Sequence, residues 1–106
     1  MRKLLFIILV FISTNNISYA DLNTITCQKL LGKSKANIVY GQNFAKEEMS
    51  PNIWLFFQKV NLDKKNLNII SLDDEKPIRE WQINLVSGEA ILIPMFDPSS
   101  KWLCKI

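Results

Sequence analysis

The chain has 106 residues, with 13 Lys and Arg, 10 Asp and Glu, and no His. Without histidine, Ser–His–Asp and Cys–His catalysis are excluded, as is every metal site that needs an imidazole ligand. Because Arg2 and Lys3 lie in the first 20 residues, the rest carries 11 positive and 10 negative side chains. That near-neutral balance does not indicate a nucleic-acid partner, and the length suits one small domain.

The first 20 residues have the pattern of a cleaved signal peptide. A positive start precedes nine consecutive apolar residues, Leu4 to Ile12, and Ser18 and Ala20 place small residues at the positions that a signal peptidase reads. Nine residues form a helix of about 14 Å, too short for a bilayer core. We therefore expect residues 21–106 to be a secreted domain, periplasmic in a bacterium with two membranes.

Two cysteines, Cys27 and Cys104, lie near the two ends of the expected mature domain. In a small exported protein an even pair of cysteines predicts a disulfide. A Cys-x-x-Cys redox motif is absent from the sequence, and two thiols without histidines do not complete a zinc site. We expect a structural bridge that stabilises the fold by roughly 4 kcal/mol, because it closes almost the whole domain.

Alternation with period two recurs from Leu22 onward and is typical of β-strands. It predicts strands at residues 22–30, 36–40, 53–60, 67–72, 81–85, 89–93 and 101–106. Residues 43–49 tolerate helix and have Asn43 as a possible cap, so one short helical turn is expected there. We predict an all-β fold, a small antiparallel sandwich or barrel of six or seven strands.

Three further features refine this plan. Ser87-Gly88 between two alternating segments predicts a two-residue type I′ hairpin. Pro94 lacks an N–H group, so its strand is expected to lie at an edge or to end there. On the last predicted strand Trp102 and Cys104 share one face, and a bridge to Cys27 would hold that strand near the first.

The segment from Ile53 to Phe57 is apolar on both faces of a strand. Either it is a central strand covered on both sides, or its second face is an exposed patch for a partner or ligand. In the second case Trp54 and Phe56 form the candidate binding patch, with Lys59 as a charge at its rim.

Other candidate sites have ordinary explanations. Asp73, Asp74 and Glu75, with Glu80 nearby, lack the alternating ligands and the glycine of a calcium loop, and we interpret them as a solvated turn. Gly32-Lys33-Ser34 lacks the earlier glycine of a phosphate-binding loop and is expected to be a hairpin turn. We therefore expect no catalytic residues, no metal and no cofactor.

Two segments resemble the small periplasmic inhibitors of c-type lysozyme. They are the Thr-Ile-Thr-Cys strand, Thr24 to Cys27, and the Gly-acidic-Ala strand, Gly88 to Leu92. The resemblance implies a compact exported β-barrel. Ser87-Gly88 is not followed by the tyrosine that accompanies the family's inhibitory segment, and no basic Tyr-Trp stretch precedes it. No inhibitory residue is therefore carried over.

These features favour a non-enzymatic binding module whose partner is a protein or a small apolar ligand, with no nucleic acid and no stable membrane span after signal cleavage. The alternatives are an envelope structural or assembly accessory that pairs through a strand edge, or a lysozyme-inhibitor-like barrel. A small hydrolase is the least favoured.

Overall fold

Nine antiparallel strands form the fold in this computed structural model, which describes residues 22–105. The predicted signal peptide lies outside the described residues. The strands are β1 Asn23–Lys29, β2 Lys35–Gly41, β3 Phe44–Ser50, β4 Ile53–Phe56, β5 Lys59–Leu62, β6 Asn66–Asp73, β7 Lys76–Asn84, β8 Glu89–Pro94 and β9 Ser100–Lys105. The all-β prediction is confirmed, with more strands than the six or seven expected.

All nine strands belong to one sheet, in the order β4-β3-β2-β1-β9-β8-β7-β6-β5. The two edge strands, β4 and β5, are consecutive in the chain and separated by Phe57 and Gln58 alone. The sheet therefore curls into a half-barrel, and the chain passes directly from one edge to the other. We call the side lined by buried residues the inner face and the opposite side the outer face.

The helical turn expected at residues 43–49 is wrong, because this segment is strand β3. Its residues pair with β2 on one side and with β4 on the other, so its backbone groups are satisfied by the sheet. The sequence concealed the strand because its inner face carries a charged residue, Glu47, beside Ala45. A buried glutamate breaks the apolar alternation by which strands are recognised.

The single strand expected at residues 53–60 is divided into β4 and β5. At the division the Phe57 N–H donates to Ala45 O (3.0 Å) on β3. Gln58 faces the other way: its side-chain oxygen accepts from the Leu72 N–H (2.6 Å) on β6. These contacts transfer the chain from one edge of the sheet to the other.

A type I′ turn joins β6 and β7 at Asp74-Glu75. Both of these residues have positive φ angles (49° and 64°), and Asp73 pairs directly with Lys76. The two-residue turn expected at Ser87-Gly88 is wrong, because β7 ends at Asn84 and β8 begins at Glu89. In that longer turn, Asn84 Oδ1 accepts hydrogen bonds from the N–H groups of Val86 (2.9 Å) and Ser87 (3.0 Å).

The turn between β5 and β6 is stabilised by Asp63. Asp63 Oδ1 accepts hydrogen bonds from the backbone N–H groups of Lys65 (2.8 Å) and Asn66 (2.7 Å). These two bonds stabilise the carboxylate and lower the pKa of Asp63 below its ordinary value.

The core lies on the inner face. It contains the fully buried residues Ile25, Ile38, Leu67, Ile69, Trp81 and Ile83. Cys27 and Cys104 are directly opposite each other on β1 and β9 and form the predicted disulfide. Trp102 is buried with Cys104, and its ring meets Trp81 edge-on with centroids 5.1 Å apart. Within residues 22–105 there is no helix of the length and apolarity that crossing a membrane requires.

Candidate functional site: an aromatic face on an edge strand

Trp54 and Phe56 point outward from β4, and Leu55 between them packs against the core. Their exposed fractions are 36% and 52%. The alternation follows from the register, because Leu55 pairs with the inward Glu47, and Trp54 pairs with Glu48 on the outer face. In the structure, the second face of this segment is therefore exposed and not covered by another part of the sheet.

The outward side chains of β3 and β4 form one cluster, which we call the aromatic face: Phe44, Lys46, Trp54 and Phe56. The rings of Phe44 and Phe56 meet edge-on with centroids 6.0 Å apart. Lys46 Nζ lies 4.3 Å from the centroid of the Trp54 ring and 6.0 Å from that of Phe44. At these distances, cation–π attraction holds the ammonium group beside the rings.

Lys59 was predicted as the rim charge. It is exposed at the start of β5, the other edge strand, where it pairs with Ile70 of β6. The lysine over the Trp54 ring is Lys46. The sequence signal for it was the period-two pattern of residues 44, 46 and 48, which the helical interpretation of residues 43–49 concealed.

A row of hydrogen-bonded polar groups continues the aromatic face across the outer side of the sheet. Thr26 Oγ1 donates to Asn37 Oδ1 (3.0 Å), and Asn37 Nδ2 donates to Glu48 Oε1 (3.2 Å). Glu48 in turn stands opposite Trp54. The row fixes the orientation of side chains beside the rings, so a polar border is preorganised next to an apolar centre.

The aromatic face is open rather than enclosed. The depression beside its rings, lined by Asn43, Phe44, Ala45, Phe56 and Phe57, has a volume of about 230 Å³. Pockets that enclose a small organic ligand commonly measure roughly 300 to 1,000 Å³. The depression is therefore large enough for one inserted side chain and smaller than the pockets that enclose a small organic ligand.

Beneath the aromatic face, β3 is anchored through its inward residue. Glu47, 2% exposed, accepts hydrogen bonds from Arg79 Nε (2.7 Å), Arg79 Nη2 (2.7 Å) and Trp81 Nε1 (2.8 Å). The donors come from β7, several strands away in the sheet order. This arrangement satisfies the buried carboxylate on both oxygens and braces the strand that carries Phe44 and Lys46.

The acidic residues considered from the sequence are not brought together. Asp74 and Glu75 form the tip of the β6–β7 hairpin, and Glu80 lies further along β7. Glu80 Oε2 accepts from Asn68 Nδ2 (2.8 Å) and from Gln82 Nε2 (3.0 Å). Across residues 22–105 no three His, Cys, Asp or Glu side chains are grouped to hold a metal ion.

Comparisons with protein-family models, with curated proteins and with solved structures returned no match.

Proposed function

We propose that this protein is an exported, non-enzymatic binding module that recognises a protein partner through its aromatic face. The observation that carries the proposal is the outward position of Trp54 and Phe56 on an edge strand. Large exposed aromatic side chains at a protein surface are typical of the anchors of interfaces.

At the aromatic face, the geometry favours a protein over a small apolar ligand. The depression of about 230 Å³ accommodates a single anchoring side chain. On the same face the rings form an apolar centre, and Lys46 and the row that ends at Glu48 form a polar border. An apolar centre with a polar rim is the usual anatomy of a protein interface.

Export is supported by the sequence pattern of residues 1–20, and the Cys27–Cys104 disulfide is compatible with an oxidising compartment. The non-enzymatic character rests on the sequence, which has no histidine and no catalytic constellation.

The experiment is native mass spectrometry of the tagged protein recovered from the exported fraction. The wild type is expected above its monomer mass, and Trp54→Ala/Phe56→Ala at the monomer mass. Phe96→Ala, which removes an equally large and highly exposed ring outside the aromatic face, is the matched control and is expected to retain the partner. The proposal fails if both variants retain the same bound mass as the wild type.

A second function, pairing of a partner's strand with β4, is favoured by one observation. β4 stands at the end of the sheet order and has β3 as its sheet neighbour. In strand addition the main-chain hydrogen bonds supply much of the affinity. An edge-pairing accessory would therefore keep its partner in the Trp54→Ala/Phe56→Ala variant, and an aromatic-face module would lose it.

A further inference from the structure

Two loops at one end of the sheet project large apolar side chains into solvent. Leu30 and Leu31 lie between β1 and β2, and Met95 and Phe96 lie between β8 and β9. Leu31 is 93% exposed and Phe96 is 88% exposed, and the other two are about half exposed. Clustered apolar side chains exposed to this degree mark an interaction surface.

The strand pairing places the two loops at the same end of the sheet. Near the end of β1, Lys29 pairs with Trp102 near the start of β9, and the Leu30 N–H donates to Lys101 O (3.1 Å). Because these strands are antiparallel neighbours, the loop after β1 and the loop before β9 lie at the same end of the sheet. We call this surface, formed by residues 29–35, 95–96 and 101, the basic apolar rim.

Lysines flank the two leucines. Lys29, Lys33 and Lys35 flank Leu30 and Leu31 along the chain, and Lys101 begins the neighbouring β9. An adjoining groove of about 280 Å³ contains three lysine side chains and no carboxylate among its described lining residues. The lysines of that groove are Lys29, Lys35 and Lys105.

The negative charges at this end bound the surface on one side. Asp97 follows Phe96 in the β8–β9 loop, and the exposed acidic residues Asp73, Asp74 and Glu75 lie at the tip of the β6–β7 hairpin. In the sheet order that hairpin is separated from β1 by β9 and β8. The positive side is therefore the one that carries the leucines.

We propose that the basic apolar rim docks on the surface of an anionic lipid bilayer. Leu31 and Phe96 enter the boundary between headgroups and acyl chains, and the lysines bind the lipid phosphates. A fluid bilayer accepts apolar side chains that protrude from two separate loops without offering a shaped pocket to each. This surface is distinct from the aromatic face, and the proposal does not depend on the function proposed above.

The experiment is co-sedimentation of the protein with phosphatidylcholine vesicles, with and without phosphatidylglycerol. Wild-type protein is expected to bind the phosphatidylglycerol vesicles and to be released by salt. Leu31→Ser/Phe96→Ser is expected to lower the partition constant at least about tenfold. Lys33→Gln/Lys35→Gln is expected to lower it by roughly fivefold for each lysine removed.

Val86→Ser is the matched control, since Val86 is 75% exposed in the β7–β8 turn at the opposite end. It is expected to bind as the wild type does, and so is Trp54→Ala/Phe56→Ala. All variants have the same N-terminal residues, so differences in vesicle binding between them come from the substitutions. Unfolding midpoints check that each variant is folded. The proposal is overturned if binding does not depend on phosphatidylglycerol, or if the Leu31/Phe96 variant binds as well as the Val86 variant.

Discussion

The carboxylate of Glu47 on β3 is held by two hydrogen bonds of 2.7 Å from the guanidinium of Arg79, which lies 32 residues later on β7. The pair spans the inside of the curled sheet and connects two strands that are not neighbours in it. Trp81 adds a third donor to the same carboxylate at 2.8 Å. The charge that breaks the sequence pattern of β3 thus holds β3 in place.

Removing the buried carboxylate is expected to destabilise the domain. Glu47→Leu leaves the largely buried Arg79 without its partner, so the free energy of unfolding is expected to fall by about 3 kcal/mol. Urea denaturation measures this. The control is Glu48→Gln, on the outer face of the same strand, with an expected change below about 0.5 kcal/mol. Equal stability of the two variants would contradict the bracing role of Glu47.

The disulfide is expected to supply a large part of the stability, because it joins residues 77 apart in the chain. Cys27→Ala/Cys104→Ala is expected to lower the free energy of unfolding by about 4 kcal/mol, through the greater freedom of the unfolded chain. Urea denaturation with and without a reductant tests this. Reductant should destabilise the wild type and leave the double variant unchanged, and a double variant as stable as the oxidised wild type would disprove the prediction.

Gly88 is required by a close approach of two backbones. Its φ is +83°, and a Cβ added there would stand 2.5 Å from the carbonyl oxygen of Cys104. The Gly88 carbonyl also accepts from the Cys104 N–H at 2.7 Å, so the two backbone segments cannot move apart without losing this hydrogen bond. Gly88→Ala is expected to cost more than 1 kcal/mol of stability. Thermal unfolding measures this, with the exposed Val86→Ala in the same turn as control. A melting temperature like that of the control would refute the argument.

The β6–β7 turn offers a stabilising substitution. Glu75 has a φ of 64°, which an L side chain adopts at a cost and glycine adopts freely. Glu75→Gly creates Asp-Gly, the preferred dipeptide of type I′ turns, and is expected to add about 0.5 to 1 kcal/mol of stability. Differential scanning calorimetry should show a higher melting temperature. Lys76→Gly, just inside β7, serves as the contrasting control and should lower it.

The sequence predicted the parts of the fold that depend on local alternation and on the cysteine pair. Trp81 and Ile83 lie in the core, and Trp102 and Cys104 share the buried face of the last strand, because strands of an antiparallel sheet place alternate residues on one side. The predicted disulfide between Cys27 and Cys104 is also formed.

What the sequence did not predict depends on contacts between distant residues. The strand character of β3 is visible only once Glu47 is matched with Arg79, a pairing between residues 32 apart. At the division between β4 and β5, the side-chain oxygen of Gln58 accepts a hydrogen bond from the Leu72 N–H on β6, 14 residues later. Trp54 and Phe56 were identified as candidates because their segment is apolar on both faces. Phe44 and Lys46 were not identified, because they lie in the segment that was interpreted as a helical turn.

The most direct test of the binding role of the aromatic face is photo-crosslinking in the producing cell. A photoreactive phenylalanine analogue at Phe56, which is half exposed, keeps an aromatic ring in the middle of the aromatic face. The same analogue at the exposed Val86 is the reference position. We expect a discrete cross-linked protein adduct from position 56 and none of that mass from position 86. No adduct from position 56, or the same adducts from both positions, would contradict the proposed binding role.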